Sequence, residues 1–224
     1  PAQALISPTA RIGKGTIIQP GAFIGNHVQI GENCLIHANV SIYDHSVIGS
    51  NVIIHSGTVI GADGFYFKRR AEFHDKLVSG GRVVIEDHVE IGANCTIDKG
   101  VTSDTVIGRG SKLDNLIQIG HDTVIGRRCL FAAQVGIAGC VNIEDDVILW
   151  GQVGVQKDLT IGSGAIVLGQ SGISKSIAGN TTYFGSPAGL SRERMKELAA
   201  LKELPTLIKA IREWSVEQEA GTGL

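Results

Sequence analysis

Seven histidines, at positions 27, 37, 45, 55, 74, 88 and 121, are the side chains best suited to move a proton near neutral pH. An unperturbed imidazole titrates near pH 6.5, so it can accept a proton from an attacking group and return it to a leaving group. Position alone does not separate the seven, and each reads as a surface or corner histidine. Zinc shared among such imidazoles requires two of them closely spaced on one chain, and no H-x4-H pair occurs, so no metal is expected. A second candidate is the run Phe65, Tyr66, Phe67, Lys68, Arg69, Arg70, whose cations can meet a phosphate or simply be solvated.

The elements that position these groups follow from a period of six. From 107 to 173 every sixth residue is large and apolar: Ile107, Leu113, Ile119, Ile125, Phe131, Ile137, Ile143, Leu149, Val155, Ile161, Val167 and Ile173. From Ile6 to Ile60 ten isoleucines keep the same phase. Neither a helix at 3.6 nor an alternating strand produces this spacing. Three hexads closing one triangular coil do, which predicts a parallel β-helix whose stacked coils share a continuous core. With Ile85, Ile91 and Ile97 the runs supply core positions for about eight coils.

Between Gly61 and Val84 the repeat fails, which predicts a loop or hairpin thrown out from one corner. The spacing of ten from Ile97 to Ile107 implies about four extra residues near Val101 to Asp104. The β-helix is expected over 1–188, with its insert at 61–84, and a helical extension over 189–224. Ser191 is a plausible N-cap for a helix from Arg192 to about Leu204. Pro205 should interrupt or restart it, and Glu217 to Leu224 should fray. The apolar stripe Leu207, Ile208, Ile211, Trp214 is too long for a lone coil end to bury, which implies a partner subunit.

Formal charge is −2, which argues against bulk nucleic-acid binding, and no apolar run reaches the roughly 18 residues of a membrane span. Cys34, Cys95 and Cys129 fall at small inward positions and read as buried thiols, which suits a reducing cytoplasm. The chain starts at Pro1 without methionine or a signal-like segment, leaving room for upstream sequence.

The strings IGADGF (60–65), VEIGANCTIDKG (89–100), KLDNLIQIGHD (112–122), AAQVGIAG (132–139), GQVGV (151–155), SGISKSI (171–177) and YFGSPA (183–188) resemble the bacterial UDP-3-O-(3-hydroxyacyl)glucosamine N-acyltransferases of lipid A biosynthesis. The likeness spans roughly residues 5 to 205. It implies a left-handed β-helix assembled as a cytoplasmic homotrimer, with sites in clefts between prisms. It also implies transfer of a 3-hydroxyacyl group from acyl carrier protein to the 2-amino group of a UDP-linked sugar. No bound cofactor is implied, because phosphopantetheine enters on the carrier protein or as coenzyme A. The sequence departs from the family in two places. An N-terminal uridine-binding domain is not seen before the first coil, and Asp158 stands where the family often has a second histidine.

The resemblance singles out His121 as general base. Asp114 and Asn115, one hexad earlier, and Asp122, next in sequence, are candidate helpers, although Asp-Asn at a corner equally serves a turn. Residues eighteen apart stack on adjacent coils. Gln118 is therefore followed by Gly136, Gly154 and Gly172, Asn115 by Ala133, Gly151 and Gly169, and His121 by Gly139, Lys157 and Lys175. Two columns without side chains beside lysines would suit an extended acyl-phosphopantetheine arm. Arg192, Arg194, Lys196, Lys202, Lys209 and Arg212 are expected to attract the acidic carrier protein. The alternatives are a sugar-nucleotide N- or O-acetyltransferase using acetyl-CoA, and a non-catalytic structural β-helix; mixed Asn, Asp, Lys and Gly on the outer faces disfavour the latter.

Overall fold

The computed structural model describes residues 3–221, with side chains through Trp214. The hexads form a parallel β-helix with a C-terminal helix. Each hexad contributes one short strand, and the strands stack into three sheets of nine, eight and ten. The register is the one the period demands: Ile97, Ile119, Ile137, Val155 and Ile173 lie on successive strands of one sheet. Their side chains and those of the other two inward columns form one continuous core. Burying one such isoleucine is worth about 1.5–3 kcal/mol, and its β-branched shape suits a short pleated strand.

Two of the ten N-terminal isoleucines depart from the expected burial. Ile6 and Ile12 are exposed because no coil stacks above them, and the stack closes over only from Ile18 onward. Cys34, Cys95 and Cys129 are buried free thiols, and burial pushes the Cys129 thiol up to about 11. The corners need a residue in the left-handed region. His27, His45 and His88 occupy it at φ near 60°, as do Asn33, Asn51 and Asn94, so three of the seven histidines are corner residues.

Both interruptions of the repeat sit on the same edge of the prism. Residues 67–69 and 74–76 pair as an antiparallel hairpin, preceded by a register shift between Ile60 and Ala62, where the neighbouring strand offers Asp98. Such a bulge re-aims side chains, commonly beside a functional site. The extra residues 101–103 fold back over the following corner, and Asp122 holds them there.

The C-terminal helix, α1 (Ser191–Gly221), differs from expectation in running unbroken through Pro205. Proline removes one hydrogen bond, to the carbonyl of Leu201, but that stretch is exposed and the carbonyl can be met by water. Of the expected frayed tail 217–224, the helix backbone extends to Gly221, and 222–224 lie outside the described residues. Among the described residues Met195, Leu198, Leu201, Leu204, Ile208, Ile211 and Trp214 are exposed along this helix. No described helix is long and apolar enough to cross a membrane.

Candidate active site

His121 follows an inward isoleucine at the end of its strand, and the corner after it is taken by Asp122 at φ 55°. The sequence predicts an outward histidine. The structure buries it to 8 % exposure, because the insert folds over it. Gly64 lies so close that a Cβ there would come 2.6 Å from the His121 Cβ, and the Tyr66 ring meets the imidazole edge-on at 5.6 Å. Below, a Cβ on Gly139 would reach within 2.5 Å of Nε2. Both glycines are therefore required by close approach, which IGADGF and AAQVGIAG do not disclose on their own.

The imidazole Nδ1–H donates to Oδ2 of Asp122 at 2.7 Å. That carboxylate also accepts N–H groups from Val101 (2.8 Å), Thr102 (3.0 Å) and Ser103 (2.7 Å), and the Ser103 hydroxyl at 2.8 Å. Burial alone would raise the Asp122 carboxyl. The hydrogen bonds from His121, Val101, Ser103 and Thr102 outweigh it and hold the acid well below the usual carboxylate range. An ionised Asp122 fixes the proton of a neutral His121 on Nδ1, which leaves Nε2 as a proton acceptor.

Two depressions lie near this pair, lined by its neighbours and not by His121 or Asp122 themselves, and they share Gln118. One, about 540 Å³, lies under the hairpin and is lined by Asp63, Gly64, Phe65, Phe67, Lys76, Asp98 and Gln118. The other, about 710 Å³, runs along the first sheet across Gln118, Gly136, Gly154 and Gly172 and is closed at its base by Ser186 and Pro187. These three glycines pair in register on adjacent strands and none lies in the left-handed region, so no turn requires them. A Cβ on Gly136 or Gly154 would meet nothing within 4 Å. The missing side chains leave an open floor of bare backbone.

The other expected site residues fall elsewhere. Asp114 accepts the Asn115 N–H at 2.7 Å, and Asn115 accepts the Ala93 N–H at 2.7 Å, which is turn chemistry. Both line a separate cavity of about 660 Å³ with His55, Lys112 and Trp150. The carboxylate on His121 is Asp122. Lys157 is exposed and pairs with Asp158 at 3.3 Å, and Lys175 lines a depression against the start of α1, so neither lysine lines the glycine groove. Tyr66 and Asp63 are brought to the site by the insert, where no hexad phase marks them, and Asp98 lies on the strand 96–98 beneath it. His121, Asp122 and Cys140 place ligand atoms within 4.8 Å of one another, but Nδ1 and both Asp122 oxygens are committed to hydrogen bonds, so the set forms a dyad beside a thiol.

Comparison with known proteins bears on this geometry. The family "Bacterial transferase hexapeptide (six repeats)" matches residues 27–62 and 104–139, and "Hexapeptide repeat of succinyl-transferase" matches 82–115. A UDP-3-O-acylglucosamine N-acyltransferase of Methylobacterium sp. (strain 4-46) is 47 % identical over 145 residues, covering 65 % of this chain and 41 % of the relative. One from Bradyrhizobium sp. (strain BTAi1) is 53 % identical over 154 residues, covering 61 % and 43 %. The chain thus spans about two fifths of the length of these curated relatives. Among solved structures, UDP-N-acetylglucosamine O-acyltransferase from Moraxella catarrhalis superposes with a TM-score of 0.76 at 31 % identity, covering 87 % of this chain and 76 % of that one. The Francisella novicida UDP-N-acetylglucosamine acyltransferase gives 0.78 at 28 %, covering 88 % and 72 %.

Proposed function

Because the chain belongs to the hexapeptide-repeat acyltransferases, we propose that it moves a 3-hydroxyacyl group from acyl carrier protein to the 2-amino group of a UDP-linked 3-O-acylglucosamine, with His121 as general base. The observation that carries this reading is the His121–Asp122 pair, whose Nδ1–H is committed at 2.7 Å so that Nε2 is the acceptor. As the amine nitrogen attacks the thioester carbonyl carbon, Nε2 takes its proton. Ionised Asp122 stabilises the imidazolium that forms. The tetrahedral intermediate collapses to the amide, the carbon–sulfur bond breaks, and the departing phosphopantetheine thiolate recovers the proton from Nε2. The glycine groove is the path we assign to the acyl-phosphopantetheine arm, since bare strand backbone gives an extended chain close approach.

We read the protein as a homotrimer. The outward residues of the third sheet include Ile17, Leu35 and Ile53 at one end and Leu130, Ile148 and Ile166 at the other, two apolar patches separated by Glu90 and Lys112, and exposed apolar residues of α1 add to the surface that a second prism would cover. Carrier protein is assigned to the basic residues of α1. There Arg194 is engaged by Glu197 at 2.7 Å and Lys209 lies 3.8 Å from Glu213, which leaves Arg192, Lys196 and Lys202 as the contacts to test.

Purified protein is incubated with UDP-3-O-acylglucosamine and either 3-hydroxyacyl carrier protein or acetyl-CoA, and the sugar product is weighed by mass spectrometry. A 3-hydroxyacyl amide formed from the carrier protein, with acetyl transfer at least a hundredfold slower, is the expected result. Efficient acetylation, or acylation of a hydroxyl instead of the amine, overturns the assignment.

A further inference from the structure

The hairpin that interrupts the repeat carries a surface that neither the core nor the proton transfer uses. Its strands pair Phe67 with Lys76 and Arg69 with His74. Toward the prism the ladder continues, with the Leu77 N–H donating to the Tyr66 carbonyl at 3.0 Å, so Phe65 falls opposite Val78. Successive side chains on such a ladder point to opposite faces, and cross-strand partners share one. Tyr66 turns to the His121 ring, whereas Phe65 and Phe67 lie together with ring centroids 5.0 Å apart. Phe65 at 85 % and Val78 at 77 % are the most exposed large apolar side chains among the described residues, and Phe67, Leu77 and, at the turn, Phe73 are exposed as well. An apolar patch of this kind on a projecting element marks an interaction surface.

The charges on the same hairpin specify the partner. Asp75 is held by Arg70 at 2.8 Å, and Asp63 by Lys76 and Lys99 at 2.6 and 3.0 Å, which leaves Glu72 at the turn. Among the described residues no acid pairs with Lys68 or Arg69, which follow directly on the exposed aromatics. Aromatic and aliphatic side chains bordered by free cations are the composition of a segment that lies at a membrane surface: the apolar groups enter the headgroup boundary and the cations meet anionic headgroups. The position fits as well, because Phe65 and Phe67 border a depression beside the dyad and Gly64 encloses the His121 ring. An acylated sugar and its diacylated product are amphiphiles, whose hydrocarbon chains partition into a bilayer.

We propose that this hairpin is a peripheral membrane contact: Phe65 and Val78 enter the headgroup boundary of an anionic bilayer, Lys68 and Arg69 meet its phosphates, and the acylated sugar passes between bilayer and dyad along this surface. The choice of a lipid surface as partner rests on the reading of the substrate as an acylated sugar.

The test is co-sedimentation of the full chain with vesicles of phosphatidylcholine, with and without phosphatidylglycerol, in the absence of sugar and donor. Wild type should bind the phosphatidylglycerol vesicles about tenfold or more tightly than the neutral ones, and added salt should erase the difference. Phe65→Ser combined with Val78→Ser should weaken binding about tenfold, Lys68→Glu combined with Arg69→Glu should abolish the preference for the anionic lipid, and Lys196→Glu combined with Lys202→Glu on α1 should change neither by more than about twofold. Hydrogen exchange on wild type should show the amides of 65–78 slowed by phosphatidylglycerol vesicles. A wild-type protein that ignores these vesicles overturns the proposal without any variant. Vesicle binding that survives the hairpin substitutions and is lost with those on α1 also overturns it, as does a hairpin already protected in the free protein by a second copy of the chain and unaffected by vesicles. If His121→Ala remains active, it is the reading of the chemistry that fails, and the vesicle measurements still decide the role of the hairpin.

Discussion

Asp122→Asn isolates the part of the site that sequence alone did not settle. On the Oδ1 side the carboxylate accepts Thr102 N–H, Ser103 N–H and the Ser103 hydroxyl, and on the Oδ2 side Val101 N–H and His121 Nδ1–H. Asparagine has one oxygen, and the larger set of donors claims it. The NH2 group then faces Val101 N–H and the imidazole, to which it must donate. Nδ1 becomes the acceptor, the ring proton moves to Nε2, and the base is lost as surely as if the ring were removed. Loss of a positioned base costs about 10²–10⁴ in rate, so kcat should fall by about 10³ with both KM values changed less than threefold. Leaving Val101 N–H without an acceptor costs about 1–3 kcal/mol of stability. Because the folded-state pKa of Asp122 is lowered, its stabilising contribution is full above the unfolded value near 3.9 and is lost as pH falls through the folded value. Asp122→Asn should therefore flatten the acid limb of the stability profile below about pH 4. Steady-state kinetics with Asp114→Asn as control and urea melts between pH 3 and 7 measure both effects. A kcat within tenfold of wild type in a folded Asp122→Asn would refute the tautomer argument.

Gly154→Val adds a side chain into space that is empty to 4 Å on a strand that tolerates it, so the melting temperature should hold. Activity should fall more for long acyl donors than for short ones; equal loss at every length, with a falling melting temperature, would show a structural glycine. Gly139→Ala puts a methyl 2.5 Å from Nε2 and should abolish turnover with every donor while sugar binding persists, which calorimetry reads. Deleting 191–224 removes the exposed apolar residues of α1 and its basic residues. The expected outcome by light scattering and kinetics is a weaker trimer and a raised, salt-sensitive KM for acyl carrier protein; unchanged values for both would detach the helix from either role.

The hexads made the fold legible because each inward residue has only one way to be buried, and Ile97, Ile119, Ile137, Val155 and Ile173 stack as their spacing requires. The bare floor at Gly136 and Gly154 followed from the same arithmetic. What the period could not express are the two places where it breaks. Residues 101–103 bend back onto Asp122, so the neighbour in sequence, and not Asp114 a hexad earlier, becomes the partner of His121. The hairpin lays Gly64, Tyr66 and Phe67 across an outward face, which buries His121 and Asp98 where a regular coil would expose them. Lys157 and Lys175, read as one column from a spacing of eighteen, have side chains at Asp158 and in the depression at the start of α1 and outside the glycine groove.

If Nε2 of His121 accepts the amine proton, His121→Ala should lower kcat with 3-hydroxyacyl carrier protein and UDP-3-O-acylglucosamine by about 10²–10⁴, with sugar binding by calorimetry retained and the protein still folded. A folded His121→Ala that keeps more than about a tenth of wild-type kcat, set against that expected loss, would contradict it.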